Sequence, residues 1–207
     1  ILSNQYKPGD IIQIDRLARE MGISATPIRE AMIRLENSGL LELIPNKGAR
    51  VVEITPHDIR EIWELRLILE PYAARKTAEQ EIGKEIDDLE NMIRGFMKGE
   101  YGQDTYIQAD EQLHRLLFEH IDNSVLRETI ERIHNLSMRM RYHAENVSQN
   151  SSNIVEEVST EHLRILNALK QKNPEAAEQA VIAHLRNGER RTLASAGVPQ
   201  EEETPDL

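Results

Sequence analysis

The sequence predicts a mainly α-helical protein in two parts. A small N-terminal part combines two helices with a hairpin, and an all-α antiparallel bundle of about six helices follows. Apolar residues recur at helical spacing over most of the 207 residues, whereas strand-like patterns occur only before residue 55. Residues 1–55 contain seven basic and seven acidic residues, and residues 56–207 contain the other 18 and 29, which account for the whole net charge of −11. A neutral module with basic residues on one face can still bind phosphates.

Composition excludes several classes of protein. A hydrophobic content of 39% is enough for a core. The absence of cysteine excludes disulfides and thiolate metal sites and favours a cytoplasmic location. There is neither an apolar run of the roughly 18 residues that a membrane span needs nor a signal-peptide layout, so we expect no membrane association. The chain opens on Ile1 rather than methionine, and we expect the first helix to be truncated.

Two short helices are predicted near the start of the chain. The first, from Gln13 to Met21, closes at Gly22. The second has Thr26 as its N-cap, Pro27 at its first position and Gly39 just past its end. Its buried stripe consists of Ile28, Ala31, Met32 and Leu35. Two helices around a glycine-containing turn are typical of a helix-turn-helix, in which the second helix enters the major groove.

A hairpin with a basic tip follows the second helix. The predicted strands, Leu41 to Ile44 and Ala49 to Ile54, flank the turn from Pro45 to Gly48, where a glycine lets backbone approach a phosphate or a minor groove. Helix-turn-helix and hairpin together predict a winged helix-turn-helix. The alternative is a small α/β cap without a ligand. The basic residues that could share one face are Arg29, Arg34, Lys47 and Arg50.

Several motifs between residues 6 and 52 support the DNA-binding interpretation. PGD, LA…MGIS, TPIREA…RLE…GL and NKGARV resemble the DNA-binding domain of the GntR family of bacterial transcription regulators. The resemblance implies operator contacts from the second helix and the wing. The predicted DNA-binding residues are Ser24, Thr26, Arg29, Arg34, Lys47, Gly48 and Arg50. Ala25 stands where the family usually has arginine, which removes a guanine contact worth roughly 1–3 kcal/mol of discrimination, so we expect a different operator preference.

The second part begins at another clear helix start, Thr55-Pro56-His57-Asp58, with a cap, a proline and an acid at the third position. Helical periodicity then covers residues 57–79, 84–99, 104–120, 124–147, 154–171 and 174–195. The predicted domains are 1–55, 56–196 and a flexible tail at 197–207, which is rich in proline and glutamate.

The best candidate site in the bundle is a set of histidines with one carboxylate. Asp110 and His114 are four residues apart, so they lie on one helix face and could hold one ion. His162 and His184 lie among apolar residues of later helices. This nitrogen-rich set fits zinc, nickel, iron or manganese better than calcium or magnesium. Spacing alone leaves open a solvated ion pair or ordinary core histidines.

The second part also resembles a known family. Segments at 65–75, 109–126, 160–169 and 173–185 are similar to the ligand-binding (FCD) domain of the FadR branch of GntR regulators. In metal-binding members of that branch, a D-x₃-H pair and one histidine in each of the last two helices hold the ion. The resemblance therefore implies a divalent metal, zinc or nickel ahead of iron or manganese, on Asp110, His114, His162 and His184.

An arginine and a glutamate on the bundle's first helix are candidate effector contacts. Arg66 and Glu70 are four residues apart on an otherwise apolar helix, and the alternative is a surface ion pair worth a few tenths of a kcal/mol. The resemblance implies that the arginine lines the effector pocket, where it would clamp a carboxylate. Arg139 and Arg141 are rival anion contacts, and His134 could support the metal ligands. The remaining histidines, expected to face solvent or to cap helices, are His57, His120 and His143.

Together these features predict a homodimeric transcription regulator that binds a palindromic operator and a small carboxylate effector. We expect the metal and Arg66 to hold the effector, whose binding would change the separation of the two recognition helices. One alternative is a metal-responsive regulator, in which the ion is the signal. A second is a metal-dependent hydrolase, although no general base occurs at a telling spacing.

Overall fold

A computed structural model of the chain describes residues 6–37, 39–45, 47–100, 103–147 and 151–198. Within these ranges the protein has three short strands and eight helices. In chain order they are β1 (Ile11–Ile12), α1 (Ile14–Met21), α2 (Ala25–Asn37), β2 (Leu41–Ile44), β3 (Gly48–Val51), α3 (Pro56–Thr77), α4 (Gly83–Met97), α5 (Gln103–Glu119), α6 (Ser124–Val147), α7 (Ser151–Lys170) and α8 (Pro174–Ser195). The mainly α fold with a small winged module is therefore confirmed.

The N-terminal module packs α1 and α2 against a three-stranded antiparallel sheet of order β1-β3-β2. Ala49 in the central strand pairs with Ile12 on one side and Leu43 on the other. The strand β3 ends at Val51, three residues before its predicted end, because Leu41, the first residue of β2, already pairs with Val51. The module's buried residues are Ile12, Ala18, Ile28, Met32, Leu41, Ala49 and Val51.

The start of α2 differs from the prediction. The helix begins at Ala25, so Thr26 lies in its first turn and its assignment as the N-cap is wrong. The physical reason is that the first four N–H groups of a helix have no partner within the helix. Pro27 is therefore tolerated anywhere in the first turn and does not identify one starting residue. Gly22, which ends α1 in a left-handed conformation with φ of 67°, was predicted correctly.

Helix α3 is central to the C-terminal part, where it packs against α5, α6 and α8. Thr55 and Asp58 form the predicted capping box at its start. The largest apolar cluster joins this helix to α4, α5, α7 and α8. Its larger side chains include Ile86, Leu89, Ile93, Leu113, Leu116, Leu117, Ile165, Leu166, Leu169, Val181 and Leu185.

Helix α6 reaches from the bundle to the N-terminal module. Gly39, just after α2, has a φ of 72°, and a Cβ built on it would lie 2.9 Å from Cδ2 of Leu136 in α6. A cavity of about 200 Å³ separates the two parts beside this contact. It is lined by Gly39, Leu40, Val52, Glu53, Ile54, Asp58, Glu61, Ile62, Leu136 and Met140.

The end of the chain lies mostly beyond the part that the structure describes. Helix α8 ends at Ser195, and residues 199–207 of the predicted tail fall outside the described residues. In the described ranges, no helix combines the length and the apolar character needed to cross a membrane.

Candidate metal centre and nucleic-acid interface

Three helices bring the four predicted metal ligands to one buried place. Helix α5 carries Asp110 and His114 one turn apart, α7 carries His162, and α8 carries His184. Their exposed fractions are 2%, 1%, 1% and 3%, respectively. Polar side chains this deeply buried need partners, because desolvation is costly unless hydrogen bonds or a metal compensate for it.

The candidate ligand atoms lie close to one another. Nε2 of His114 lies 3.4 Å from Nε2 of His184. Oδ1 of Asp110 lies 3.5 Å from Nε2 of His162 and 3.7 Å from Nε2 of His114. One ligand nitrogen from each of the three imidazoles falls within 4.8 Å of the others. For comparison, two ligand atoms that each lie about 2.1 Å from one ion are about 3.0 Å apart when the ligand–ion–ligand angle is a right angle. They are about 3.4 Å apart when that angle is tetrahedral.

The chemistry of the donor set also fits a metal. Three imidazole nitrogens and one carboxylate oxygen suit zinc, nickel, iron or manganese, whereas calcium and magnesium prefer oxygen ligands. Leu113, Leu116 and Leu117 beside the site on α5 are buried, so this side of the site is apolar. The three buried histidines form a possible metal site, and its ligand set does not distinguish among the four metals.

A carboxylate that the sequence analysis missed lies behind His184. Oε2 of Glu161 is 2.8 Å from Nδ1 of His184, the ring nitrogen that faces away from the other ligands. Both guanidinium NH₂ groups of Arg191 donate to the Glu161 carboxylate at 2.9 Å, and Asn187 donates to it at 2.8 Å. Burial alone would raise the pKa of Glu161, but the hydrogen bonds from His184 and Arg191 outweigh burial and hold it well below its ordinary value.

Glu161 was missed because it directly precedes His162 in the sequence. A charged residue next to a ligand is more often a solvent-facing helix position. The available signal was chemical, since a metal-bound histidine usually gives its second nitrogen to a carboxylate or a carbonyl. That rule made every acidic residue on a neighbouring helix a candidate, but it did not select one.

Arg66 and Glu70 form one wall of the site from α3. Nε and NH2 of Arg66 donate to the two carboxylate oxygens of Glu70 at 2.6 and 3.4 Å. The side chains are 1% and 4% exposed, so the alternative of a surface ion pair is wrong. NH2 of Arg66 also lies 3.4 Å from Nδ1 of His114, and its guanidinium lies over Trp63 at 5.1 Å from the ring centroid.

The other candidate residues on α6 are only partly described. His134 is buried, and its ring centroid is 5.2 Å from that of His114, so it lies beside one of the four predicted metal ligands. The side chains of Arg139 and Arg141 lie outside the described residues. Of the histidines expected to face solvent or to cap helices, His57 is exposed and pairs with Glu61, and His120 is half-buried. The side chain of His143 lies outside the described residues.

A groove of about 720 Å³ lies between α2 and the hairpin. We call it the wing groove. It is lined by Ile11, Gln13, Ile14, Asp15, Arg29, Ile33, Leu43, Ile44, Pro45, Lys47 and Gly48. Arg29 from the helix and Lys47 from the hairpin are both exposed, and Ser24 and Thr26 at the start of the helix are exposed as well. Two cations on opposite elements of one groove suit a phosphate-bearing ligand.

Arg34 and Arg50 have other surroundings than the predicted DNA contacts imply, and Gly48 has a second role within the sheet. Arg34 is exposed but does not line the wing groove, because five positions turn a helix by about 140° from Arg29. Arg50 bonds Glu42 across the β2–β3 ladder at 2.6 Å. Gly48 has a φ of 112°, and a Cβ there would lie 2.2 Å from the carbonyl oxygen of Ile12. Close approach of β1 thus requires this glycine.

Comparison with known proteins assigns both parts of the chain. Residues 1–51 match the bacterial regulatory proteins described as the gntR family, and residues 61–187 match the FCD domain. The chain belongs to the GntR family. The HTH-type transcriptional regulator YdhC of Bacillus subtilis (strain 168) is 32% identical to it over 187 residues, which are 89% of this chain and 82% of that protein. The HTH-type transcriptional repressor RspR of Escherichia coli (strain K12) is 28% identical over 180 residues, 86% and 77% of the two chains.

A solved structure shares the fold of this GntR-family chain. E. coli McbR/YncC matches it with a TM-score of 0.79 at 21% identity, covering 93% of this chain and 91% of that chain. The two family matches and the regulators among its relatives show that the GntR-family chain is a DNA-binding transcription regulator with an FCD domain. Its families and relatives are regulators, not enzymes, and the hydrolase alternative is accordingly set aside.

Proposed function

We propose that this GntR-family regulator is controlled by a small organic acid bound at a metal-centred pocket in its FCD domain. In this proposal residues 1–55 bind the operator, residues 56–196 bind the effector and form the homodimer, and residues 197–207 are a flexible tail. We assign the chain to the FadR branch on the motifs of its second part, and to the cytoplasm because its operator is there.

The observation that carries the proposal is the convergence of three imidazoles and one carboxylate at a buried point. Asp110, His114, His162 and His184 hold the ion, zinc or nickel ahead of iron or manganese. A divalent ion bound there supplies a Lewis-acid position that accepts a carboxylate oxygen. Because the ligands come from α5, α7 and α8, the same residues also tie three helices together.

Arg66 gives the pocket a carboxylate-binding group beside the metal ligands. Guanidinium groups match carboxylates with two parallel hydrogen bonds, and Arg66 stands 3.4 Å from His114. Glu70 already holds this guanidinium, so an effector carboxylate has to share Arg66 with Glu70 or replace it. We propose Arg139 on α6 as a further anion contact.

Helix α6 is the proposed connection between the pocket and the DNA-binding module. His134 on this helix borders His114 at a ring-centroid distance of 5.2 Å. Two residues later, Leu136 packs against Gly39 at the end of the winged module. An effector that favours one position of α6 would therefore bias the module, and in a two-fold dimer this changes how the two recognition helices match a palindromic operator.

The DNA-binding half of the proposal is tested with Arg29→Ala. An operator is first selected from random duplexes with the parent chain, and binding is then measured at several salt concentrations. Arg29→Ala should weaken operator binding by roughly 5- to 150-fold, as expected for loss of a contact worth about 1–3 kcal/mol. It should leave effector affinity unchanged.

The matched control is Arg16→Ala, which removes the same charge from the same module outside the wing groove. Lys47→Ala should reduce the dependence of the operator-binding constant on salt concentration by the equivalent of about one phosphate contact. It should not change which bases are preferred. Operator binding by Arg29→Ala that equals the parent's would refute the assignment of the recognition helix.

The effector half is tested by a thermal-shift screen of small carboxylates, with and without a chelator. Stabilisation by one acid that disappears on chelation supports a metal-anchored effector. Stabilisation that ignores the chelator removes the metal from the mechanism. If no acid stabilises the protein, while buffered free metal reversibly changes operator affinity, the ion itself is the signal and the effector proposal fails.

A further inference from the structure

The two ring nitrogens of His184 face different partners. Nε2 points to the other ligands and lies 3.4 Å from Nε2 of His114, whereas Nδ1 lies 2.8 Å from Oε2 of Glu161. A neutral imidazole has one N–H and one lone pair. An ionised carboxylate can only accept, so a hydrogen bond to Glu161 requires the proton on Nδ1 and leaves the lone pair on Nε2.

Glu161 is itself held in place by the helix that carries His184. Asn187 and Arg191 follow His184 by three and seven residues, so the three side chains share one face of α8. Asn187 donates to one carboxylate oxygen at 2.8 Å, and Arg191 donates to both oxygens at 2.9 Å. With the contact to His184, the carboxylate of Glu161 has four hydrogen-bonded contacts, and the side chain is only 9% exposed.

The corresponding position behind His114 is different. Its Nδ1 lies 3.5 Å from Oε2 of Glu70 and 3.4 Å from the guanidinium of Arg66, which can only donate. That surrounding does not select the Nδ1–H tautomer as strongly as a carboxylate at 2.8 Å does. His184 is therefore the ligand for which the described contacts determine most about the orientation of the ring.

We propose that Glu161 is a positioning residue of the metal centre, one that holds His184 in the tautomer and orientation in which Nε2 binds the ion. The inference rests on the proposed metal site and goes beyond its four ligands. A carboxylate behind a metal-bound imidazole fixes the ring and increases its basicity, and loss of such a partner typically weakens metal binding about 10–100-fold. Arg191 and Asn187 support this role by fixing Glu161 rather than by meeting the metal.

The test measures Zn²⁺ affinity of the intact chain by competition with a chromophoric chelator. Glu161→Ala should weaken Zn²⁺ binding about 10–100-fold. Glu161→Gln should lose less, because its amide oxygen still accepts from Nδ1–H. The matched control is Glu157→Ala on the same helix, whose carboxylate is 67% exposed and 3.9 Å from Arg191, and it should bind as the parent does.

Two comparisons separate this inference from the proposed metal site. If the parent does not bind Zn²⁺, or if His184→Ala binds as tightly as the parent, the metal site itself fails. If the parent binds Zn²⁺ and His184→Ala loses it, while Glu161→Ala binds as the parent does, the site stands and the positioning role is overturned.

A further measurement does not depend on whether Glu161→Ala folds. Long-range ¹H–¹⁵N spectra of the metal-free parent report the tautomer of each histidine, and the His184 signals are assigned by their loss in His184→Ala. The expected result is the Nδ1–H tautomer, with the ring proton shielded from exchange. An Nε2–H tautomer for His184 would overturn the inference, even if Glu161→Ala fails to fold.

Discussion

Removal of Glu70 should destabilise the protein by several kcal/mol, because it deprives a buried arginine of its carboxylate. Arg66 and Glu70 are 1% and 4% exposed and share hydrogen bonds of 2.6 and 3.4 Å. Breaking a buried ion pair by removing one partner costs about 3–5 kcal/mol, because the charge that remains stays out of water. Glu70→Ala should therefore lower the free energy of unfolding by about that amount.

A second ion pair in the chain provides a matched comparison. Arg115 and Glu111 have the same four-residue separation on α5 and bond at 2.9 Å, but their side chains are 57% and 41% exposed. A pair of this kind contributes about 0.3–0.5 kcal/mol. The two pairs share spacing and chemistry, so burial accounts for the roughly tenfold difference that we expect between Glu70→Ala and Glu111→Ala.

The assay is thermal unfolding followed by circular dichroism, in chelator so that bound metal does not mask the effect. A change of 1 kcal/mol shifts the midpoint by about 2–4 °C in a chain of this size. Glu70→Ala should lower it by about 6–20 °C and Glu111→Ala by about 1–2 °C. Acetate should restore part of the stability of Glu70→Ala but not of Glu111→Ala, because a small carboxylate can occupy the place beside Arg66.

Equal stability of the two variants would refute this reasoning, since it would mean that Arg66 reaches water or another anion once Glu70 is gone. If Glu70→Ala loses stability as expected but acetate restores none of it, the buried ion pair is still supported. That result would count against Arg66 as the carboxylate clamp of the effector pocket.

The remaining predictions concern two glycines and the metal. Gly48→Ala should destabilise the winged module by at least about 1–3 kcal/mol and weaken operator binding. The reason is that φ is 112° and the new Cβ would lie 2.2 Å from the Ile12 carbonyl oxygen. An unchanged melting midpoint would contradict this. Gly188→Ala should instead stabilise the protein by about 0.5–1 kcal/mol. The glycine is helical, and the atom nearest to the new Cβ would be Nε1 of Trp63, 3.5 Å away. A lower midpoint would show that the space is too tight. Chelation of the metal-loaded protein should lower the midpoint by about 5–11 °C if metal is present at about 100 times its Kd, and no change would argue against a bound structural ion.

Local chemistry predicted the elements well wherever the signals are short-range. The capping box of Thr55 and Asp58 begins α3, and the left-handed Gly22 ends α1. The six bundle helices followed from apolar periodicity, and their ends lie within a few residues of the predicted ones. The errors at Thr26 and at the end of β3 came from positions where the local rule allows several answers.

The candidate site was predictable in part. The spacing of Asp110 and His114 indicated a shared helix face, and the family resemblance added His162 and His184. Glu161 could not be selected, because it meets His184 across 23 residues and a helix–helix interface. Whether four such ligands hold a metal in this chain is decided by the Zn²⁺ titration.

The sequence by itself determined the order of the helices, the two-part division of charge and the family to which the chain is similar. These depend on neighbours along the chain, through caps, turns and periodic burial. Only the tertiary structure decided which polar groups are removed from water. The spacing of four that Arg66 and Glu70 share with many surface pairs is no guide to their burial, because the packing of α3 against α5, α6 and α8 determines it. Likewise, the requirement for glycine at position 48 comes from the sheet, which places the Ile12 carbonyl oxygen where a Cβ would lie.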